Sequence, residues 1–136
     1  MQLDQPTLQT WRPRALAVLR IVTAYLFIQH GTSKFFGVPQ PMSGDLELLS
    51  ISALAGTLEL AGSALLALGL FTRPTAFVLC GFMAVAYFMA HASEGHVLLP
   101  MLNGGELSVL YCFVFLYFIF AGPGAWSVDG ARRRAI

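Results

Sequence analysis

The chain has 136 residues, of which 57% are hydrophobic and 11% charged. A soluble domain of this size has too little interior to hide that much apolar surface, so the composition points to a membrane protein. A formal net charge of +1 gives no argument for nucleic-acid binding; where the charges lie is more informative.

Residues 1–13 are mostly polar and read as a short tail, with Trp11 suited to headgroup level. No small-residue cleavage site follows the first apolar run, so that run reads as a span and not as a signal peptide. The first span covers about residues 15–36 and carries Arg20, Gln29, His30 and Lys34. Gly37 to Asp45 clusters Pro, Gly and Ser and reads as a loop, with Ser43 or Asp45 as candidate caps for the next helix. The second span, about 48–71, is apolar on both sides of one carboxylate, Glu59, and stops at Thr72-Arg73-Pro74. So short a turn makes the second and third spans an antiparallel hairpin, with Pro74 in the first helical turn.

The third span, about 74–91, is uncharged up to His91. Residues 92–105 form a polar loop punctuated by Gly and Pro, with an interfacial or re-entrant piece around Val97 to Leu102. The fourth span, 106–121, is rich in Phe and Tyr and stops at Gly122-Pro123-Gly124. A basic tail, 122–136, closes the chain, and its Arg132–Arg134 run suits anionic headgroups. The expected fold is therefore an all-α bundle of four transmembrane helices in one membrane domain.

Four spans place both termini and the turn at Thr72-Arg73 on one side. That side collects Arg12, Arg14, Arg20, Arg73, Arg132, Arg133 and Arg134, and leaves Lys34 toward the other. The positive-inside rule then makes both termini cytoplasmic.

Glu59 falls near mid-bilayer, where a charge costs several kcal/mol unless it is paired, protonated or beside water. At about 1.5 Å per residue from the terminal side, Glu59 lies about 18 Å up, His30 about 22 Å, His91 about 25 Å and Lys34 about 28 Å. Glu106 opens the fourth span. The functional reading is a polar pocket with Glu59 and His30 as catalytic candidates that hold or pass a proton. Lys34, Arg20, His91 and Glu106 are the candidate ligand-binding residues around them. The plainer reading pairs Glu59 with Lys34, His30 or Arg20 only to lock the helices together.

Other chemistry is weakly signalled. His30 and His91 lie at similar depth, as haem ligands would, but no haem-attachment motif accompanies them. His91, Glu94, His96 and Glu106 have a loose metal-like spacing, and no metal is assigned. Ser52, Gly56, Gly62 and Ser63 form a small-residue stripe around Glu59 that suits close helix packing. The same counting puts Cys80 and Cys112 about 10 Å apart in depth, too far for a disulfide, and both read as small buried hydrophobes. The aromatics of the fourth span point all round the helix, some toward lipid. No nucleophile elbow, phosphate loop, dinucleotide fingerprint or CxxC motif occurs, so a stand-alone enzyme is not expected.

Several stretches resemble the DoxX family of small bacterial membrane proteins. They are His30-Gly31 with Lys34, Glu59 in its Gly-rich setting, Gly69-Leu70-Phe71-Thr72-Arg73, Gly104-Gly105-Glu106, and Gly122-Pro123-Gly124 before a Ser-x-Asp tail. The resemblance covers about Leu19 to Asp129. It implies a four-helix protein of the bacterial plasma (inner) membrane. Some relatives are associated with quinone-linked redox work, so it also implies a subunit or accessory of such a system. A quinone or a similar apolar ring compound is then a candidate ligand, with no covalently bound cofactor, and a separate protein partner carries the electron donor. A homo-oligomer is a further expectation. The alternatives are a non-catalytic membrane anchor or assembly subunit, and a small-solute permease.

Overall fold

The computed structural model describes residues 4–41, 47 and 50–135, with the backbone alone at Glu94. Among them the chain is all-helical: α1 (Gln5–Phe36), α2 (Ile51–Leu68), α3 (Thr72–Ala86), α4 (Glu106–Ala121) and α5 (Val128–Arg134). A π-helical segment, Tyr87–His91, and a 3₁₀ turn, Ala92–Glu94, continue α3. Three helices, Gln5–Phe36, Ile51–Leu68 and Thr72–His91, are long and apolar enough to cross a membrane. The apolar α4 is shorter, with 16 residues.

The helix ends differ from the sequence expectation for local reasons. The segment 5–13, expected as a tail, belongs to α1. Pro6 sits in the first turn, where its missing N–H is no loss, and Pro13 forgoes one internal hydrogen bond. The carbonyl of Pro13 accepts the Ala125 N–H at 2.8 Å. Ser50 caps α2 by accepting from the Ala53 N–H at 3.1 Å. The caps expected at Ser43 and Asp45, and the expected start at Leu48, lie outside the described residues. At its other end α2 stops at Leu68 because Gly69 turns left-handed, with φ 64°. The N–H groups of Gly69 and Leu70 close the last turn on Leu66 and Leu65. The helix α5 was not expected; Ser127 caps it, accepting from the Gly130 N–H at 3.1 Å.

Packing is uneven around the bundle: α1 lies chiefly on α2 and α3 chiefly on α4, while α1 meets α4 mainly through Phe27 on the Tyr111 and Phe115 rings. The α1–α2 contact is close because two glycines face it. A Cβ on Gly31 would lie 2.7 Å from Leu60, and one on Gly56 would lie 2.7 Å from the Phe35 ring. Gly62 makes the same allowance for Leu79 of α3. The core joins Ala24, Phe27, Leu66, Leu79, Met83 and the inward face of α4, Tyr111, Phe115 and Phe118. These three aromatics are four and three residues apart, one side of a helix. Phe113, Tyr117 and Phe120 point outward.

Cys80 and Cys112 correct the depth count. Their Sγ atoms lie 3.7 Å apart across the α3–α4 contact, both as free thiols. The count assumed two spans of full bilayer length. In the structure Arg73 of α3 donates to the Ile119 carbonyl of α4 at 2.7 Å, which fixes the register. From that contact the two cysteines are equally far along their helices, so they meet.

Residues 95–105 form successive turns, with Leu99, Leu102 and Gly105 N–H groups returning to His96, Leu99 and Pro100. Leu98 and Met101 project from this loop, well exposed.

Candidate functional site

Glu59 is 5% exposed, on the face of α2 that carries Ala53, Gly56, Gly62 and Ser63. Its partner is Lys34: the ammonium Nζ donates to Oε1 at 2.8 Å and to Oε2 at 2.7 Å. By the depth count these residues should be well apart. Helix side chains lean toward the helix N-terminus, however, and Lys34 near the end of α1 therefore points back down into the bundle. The glycine-lined α1–α2 contact brings the two backbones close enough for the reach. Both oxygens of a nearly buried carboxylate are thus satisfied by one cation, the arrangement that burial of charge demands.

The pair lines a cavity of about 610 Å³ at the end of the bundle away from the termini. Every long helix contributes to its wall: Phe27, His30 and Lys34 from α1, Ser52 and Glu59 from α2, Phe82 and Met83 from α3, Tyr111 from α4. The π-helical segment supplies Met89, Ala90 and His91. A π turn widens a helix by one residue and often marks a functional position. Most of this wall is apolar, and the polar groups are few.

The sequence candidates separate into two groups. Glu59, His30, Lys34 and His91 all line this one cavity. His30 is an exposed residue on the cavity wall, 6.1 Å from the Tyr111 ring and edge-on to it, and makes no side-chain hydrogen bond among the described residues. His91 is half-buried, with Nδ1 3.2 Å from the Asn103 carbonyl, and stacks on Tyr87. Asn103 also donates to the Tyr87 hydroxyl at 3.2 Å, and that hydroxyl donates to the Val97 carbonyl at 2.7 Å. The loop is therefore pinned beside the cavity. Glu106 opens α4 as an exposed residue and does not line the cavity. The side chain of Glu94 lies outside the described residues, and no three metal-ligating side chains gather among the described ones.

Arg20 lies elsewhere, and its expected role near Glu59 is corrected. It is fully buried at the opposite end, and its guanidinium serves backbone carbonyls alone. Nε donates to Pro123 at 2.8 Å, and Nη1 donates to Leu66 and to Ala67. Nη2 donates to Ala125 at 3.3 Å and Trp126 at 2.8 Å. A guanidinium offers five N–H donors in a fixed fork, and here it closes the open carbonyls at the end of α2 and the turn after α4. Asp129 completes the knot. Its carboxylate accepts the Phe71 and Thr72 N–H groups at 2.9 and 2.8 Å, capping α3 from a distant part of the chain. Partial burial pushes the Asp129 carboxyl up, but those two N–H groups, with Arg133 nearby, hold it below the usual carboxylate range.

Sequence reasoning did not single out Phe27, Ser52, Phe82 or the π segment as wall residues. Tyr111 was legible in part, since its spacing from Phe115 and Phe118 marks an inward face. The π segment carries no sequence signal that we recognise.

The sequence model of the DoxX family matches residues 15–92, which spans α1 to the π segment. An uncharacterized protein of Haemophilus influenzae is 50% identical over 125 residues, covering 90% of this chain and 93% of its own. An uncharacterized membrane protein of Mycobacterium tuberculosis is 29% identical over 143 residues, covering 86% of this chain and 80% of its own. No solved structure matches the chain significantly. The match over more than half its length and the close Haemophilus relative place this chain in the DoxX family.

Proposed function

We propose that the chain is a four-span subunit or accessory of a membrane redox system, and that its cavity takes a quinone or a similar apolar ring compound. The observation that carries the proposal is the cavity itself, about 610 Å³, with aromatic and aliphatic walls and Lys34–Glu59, His30 and His91 as its polar groups. Such a donor set fits a flat ring with oxygens at its edge, because the ring partitions among Phe27, Phe82 and Tyr111 while the oxygens need a donor. A quinone would supply two-electron, two-proton chemistry when bound. Lys34 holds a positive charge at the floor and donates hydrogen bonds. His30, exposed on the cavity wall and without a hydrogen-bond partner among the described residues, is suited to deliver or take up a proton. Glu59 keeps Lys34 in position and is the second group able to accept a proton. The electron donor would be a separate chain.

Orientation follows from where exposed cations lie. Arg12, Arg14, Arg73, Arg132, Arg133 and Arg134 are exposed at the terminal end, while Lys34 at the other end is spent on Glu59. This supports cytoplasmic termini in a bacterial plasma membrane, with the cavity toward the outer side.

A second reading is favoured by one contact: Lys34 takes both Glu59 oxygens, as a pair that only locks α1 to α2 would. His30→Ala separates the two readings, because an exposed side chain without a hydrogen bond contributes about 0.5 kcal/mol or less to stability. Under the redox reading, protein purified in mild detergent carries an extractable quinone, and His30→Ala lowers its occupancy with an unchanged melting midpoint. A protein free of quinone in both forms would leave the lock, and a membrane anchor, as the function.

A further inference from the structure

The loose contact between α1 and α4 leaves a second, larger recess at the terminal end. It measures about 870 Å³ and runs between the first half of α1, the end of α4 and the start of the tail. Its floor is apolar, formed by Leu16, Leu19, Tyr117 and Ala121, and two cations, Arg12 and Arg133, stand in its wall. The other nearby cations are mostly engaged. Arg14 lies over the Trp11 ring at 5.2 Å, Arg132 over the Phe71 ring at 5.8 Å, and Arg73 donates to Ile119. Arg12 and Arg133 make no side-chain hydrogen bond, ion pair within 4.0 Å or aromatic contact among the described residues. Asp129, whose carboxylate feels the Arg133 charge without pairing to it within 4.0 Å, already has both oxygens on the Phe71 and Thr72 N–H groups.

We propose that this groove is a binding site for an acidic phospholipid of the membrane leaflet on the terminal side. An apolar floor with two uncommitted guanidinium groups in its wall is complementary to an amphiphile with an anionic phosphate. Guanidinium matches phosphate oxygens in bidentate fashion. The acyl chains lie along Leu16, Leu19 and Tyr117, and the phosphate sits between Arg12 and Arg133. The lipid would lie against both α1 and α4, beside the contact of Gly124 with Pro13 that already joins them. This differs from general attraction of a basic tail to an anionic surface, since it depends on two arginines and spares the others.

Delipidated protein in detergent, titrated with phosphatidylglycerol or phosphatidylcholine and read by native mass spectrometry, tests the proposal. One phosphatidylglycerol binds in preference to phosphatidylcholine, and the Arg12→Gln/Arg133→Gln double variant weakens it about a hundredfold or more, from roughly tenfold or more per lost charge-assisted hydrogen bond. The Arg14→Gln/Arg134→Gln double variant, with the same loss of net charge, changes affinity little. Equal losses in the two double variants would reduce the effect to diffuse attraction and overturn the site. Equal binding of the two lipids would overturn it too. Full competition by millimolar inorganic phosphate would show an anion site and not a lipid site.

Discussion

The two ends of this bundle each bury a charge, and they answer it differently. At the terminal end Arg20 is consumed by the backbone: five carbonyls from the end of α2 and from residues 123–126 surround it, and no ligand could share it. At the other end Lys34 and Glu59 answer each other and remain on the wall of a cavity beside an uncommitted His30. A buried charge alone is therefore a poor guide to function. A charge whose partners are all main-chain atoms holds the chain, whereas one that faces a cavity is available for chemistry.

The comparison can be broken most strongly at Arg20. Arg20→Met removes a donor from five carbonyls, of which Leu66 alone keeps another among the described residues, the Gly69 N–H. We expect a loss of about 4 kcal/mol or more, as for breaking other buried charged networks. SDS titration of the purified protein would read it. A loss under about 1 kcal/mol would mean that the terminal end is held by something else.

The next effect lies at the other end. Lys34→Met or Glu59→Leu alone strands a buried charge and should cost about 3 kcal/mol, whereas the double variant should regain most of that loss. Additive losses in this double-mutant cycle would show that each residue is satisfied independently of the other.

Asp129 sharpens the contrast at smaller scale. Asp129→Ala removes the remote cap of α3 and should cost about 1 kcal/mol. Because its folded carboxyl is held below the ordinary value, Asp129 contributes stability above that ordinary value. The contribution fades as pH falls through the depressed value. Asp129→Asn should therefore flatten the acid limb of the stability profile. An unaltered acid limb would remove Asp129 from the knot's energetics.

Much of this fold was legible in the sequence. Hydrophobic runs locate the long helices, α4 begins and ends where its Glu and Gly-Pro-Gly signals lie, and a lone acid in an apolar run demands a partner. What escaped depends on side-chain reach and register. Depth counting treated residues as points on rods, so it separated Cys80 from Cys112 and allowed Arg20 to look upward; the Lys34–Glu59 pair, one of three pairings expected for Glu59, forms although the count set the two about 10 Å apart in depth. The motifs of the DoxX resemblance also gain a physical meaning that spacing alone lacked. Gly69 turns left-handed against Ser127 and Arg20, Gly124 approaches the Pro13 carbonyl, and Ser127 and Asp129 cap two helices. They are mostly parts of the knot at the terminal end and not of the cavity. His30, Lys34, Glu59 and Gly104 carry the family pattern into the cavity wall.

The most direct measurement is the binding isotherm of a short-chain quinone to detergent-solubilised protein, by calorimetry, for wild type and the Lys34→Met/Glu59→Leu double variant. Saturable binding of about one per chain is expected in the wild type, with at least a tenfold loss in the folded double variant, on the order of two hydrogen bonds. Equal affinity in both proteins, or no saturable binding in the wild type, would contradict the proposed division between an end that holds the chain and an end that binds a quinone.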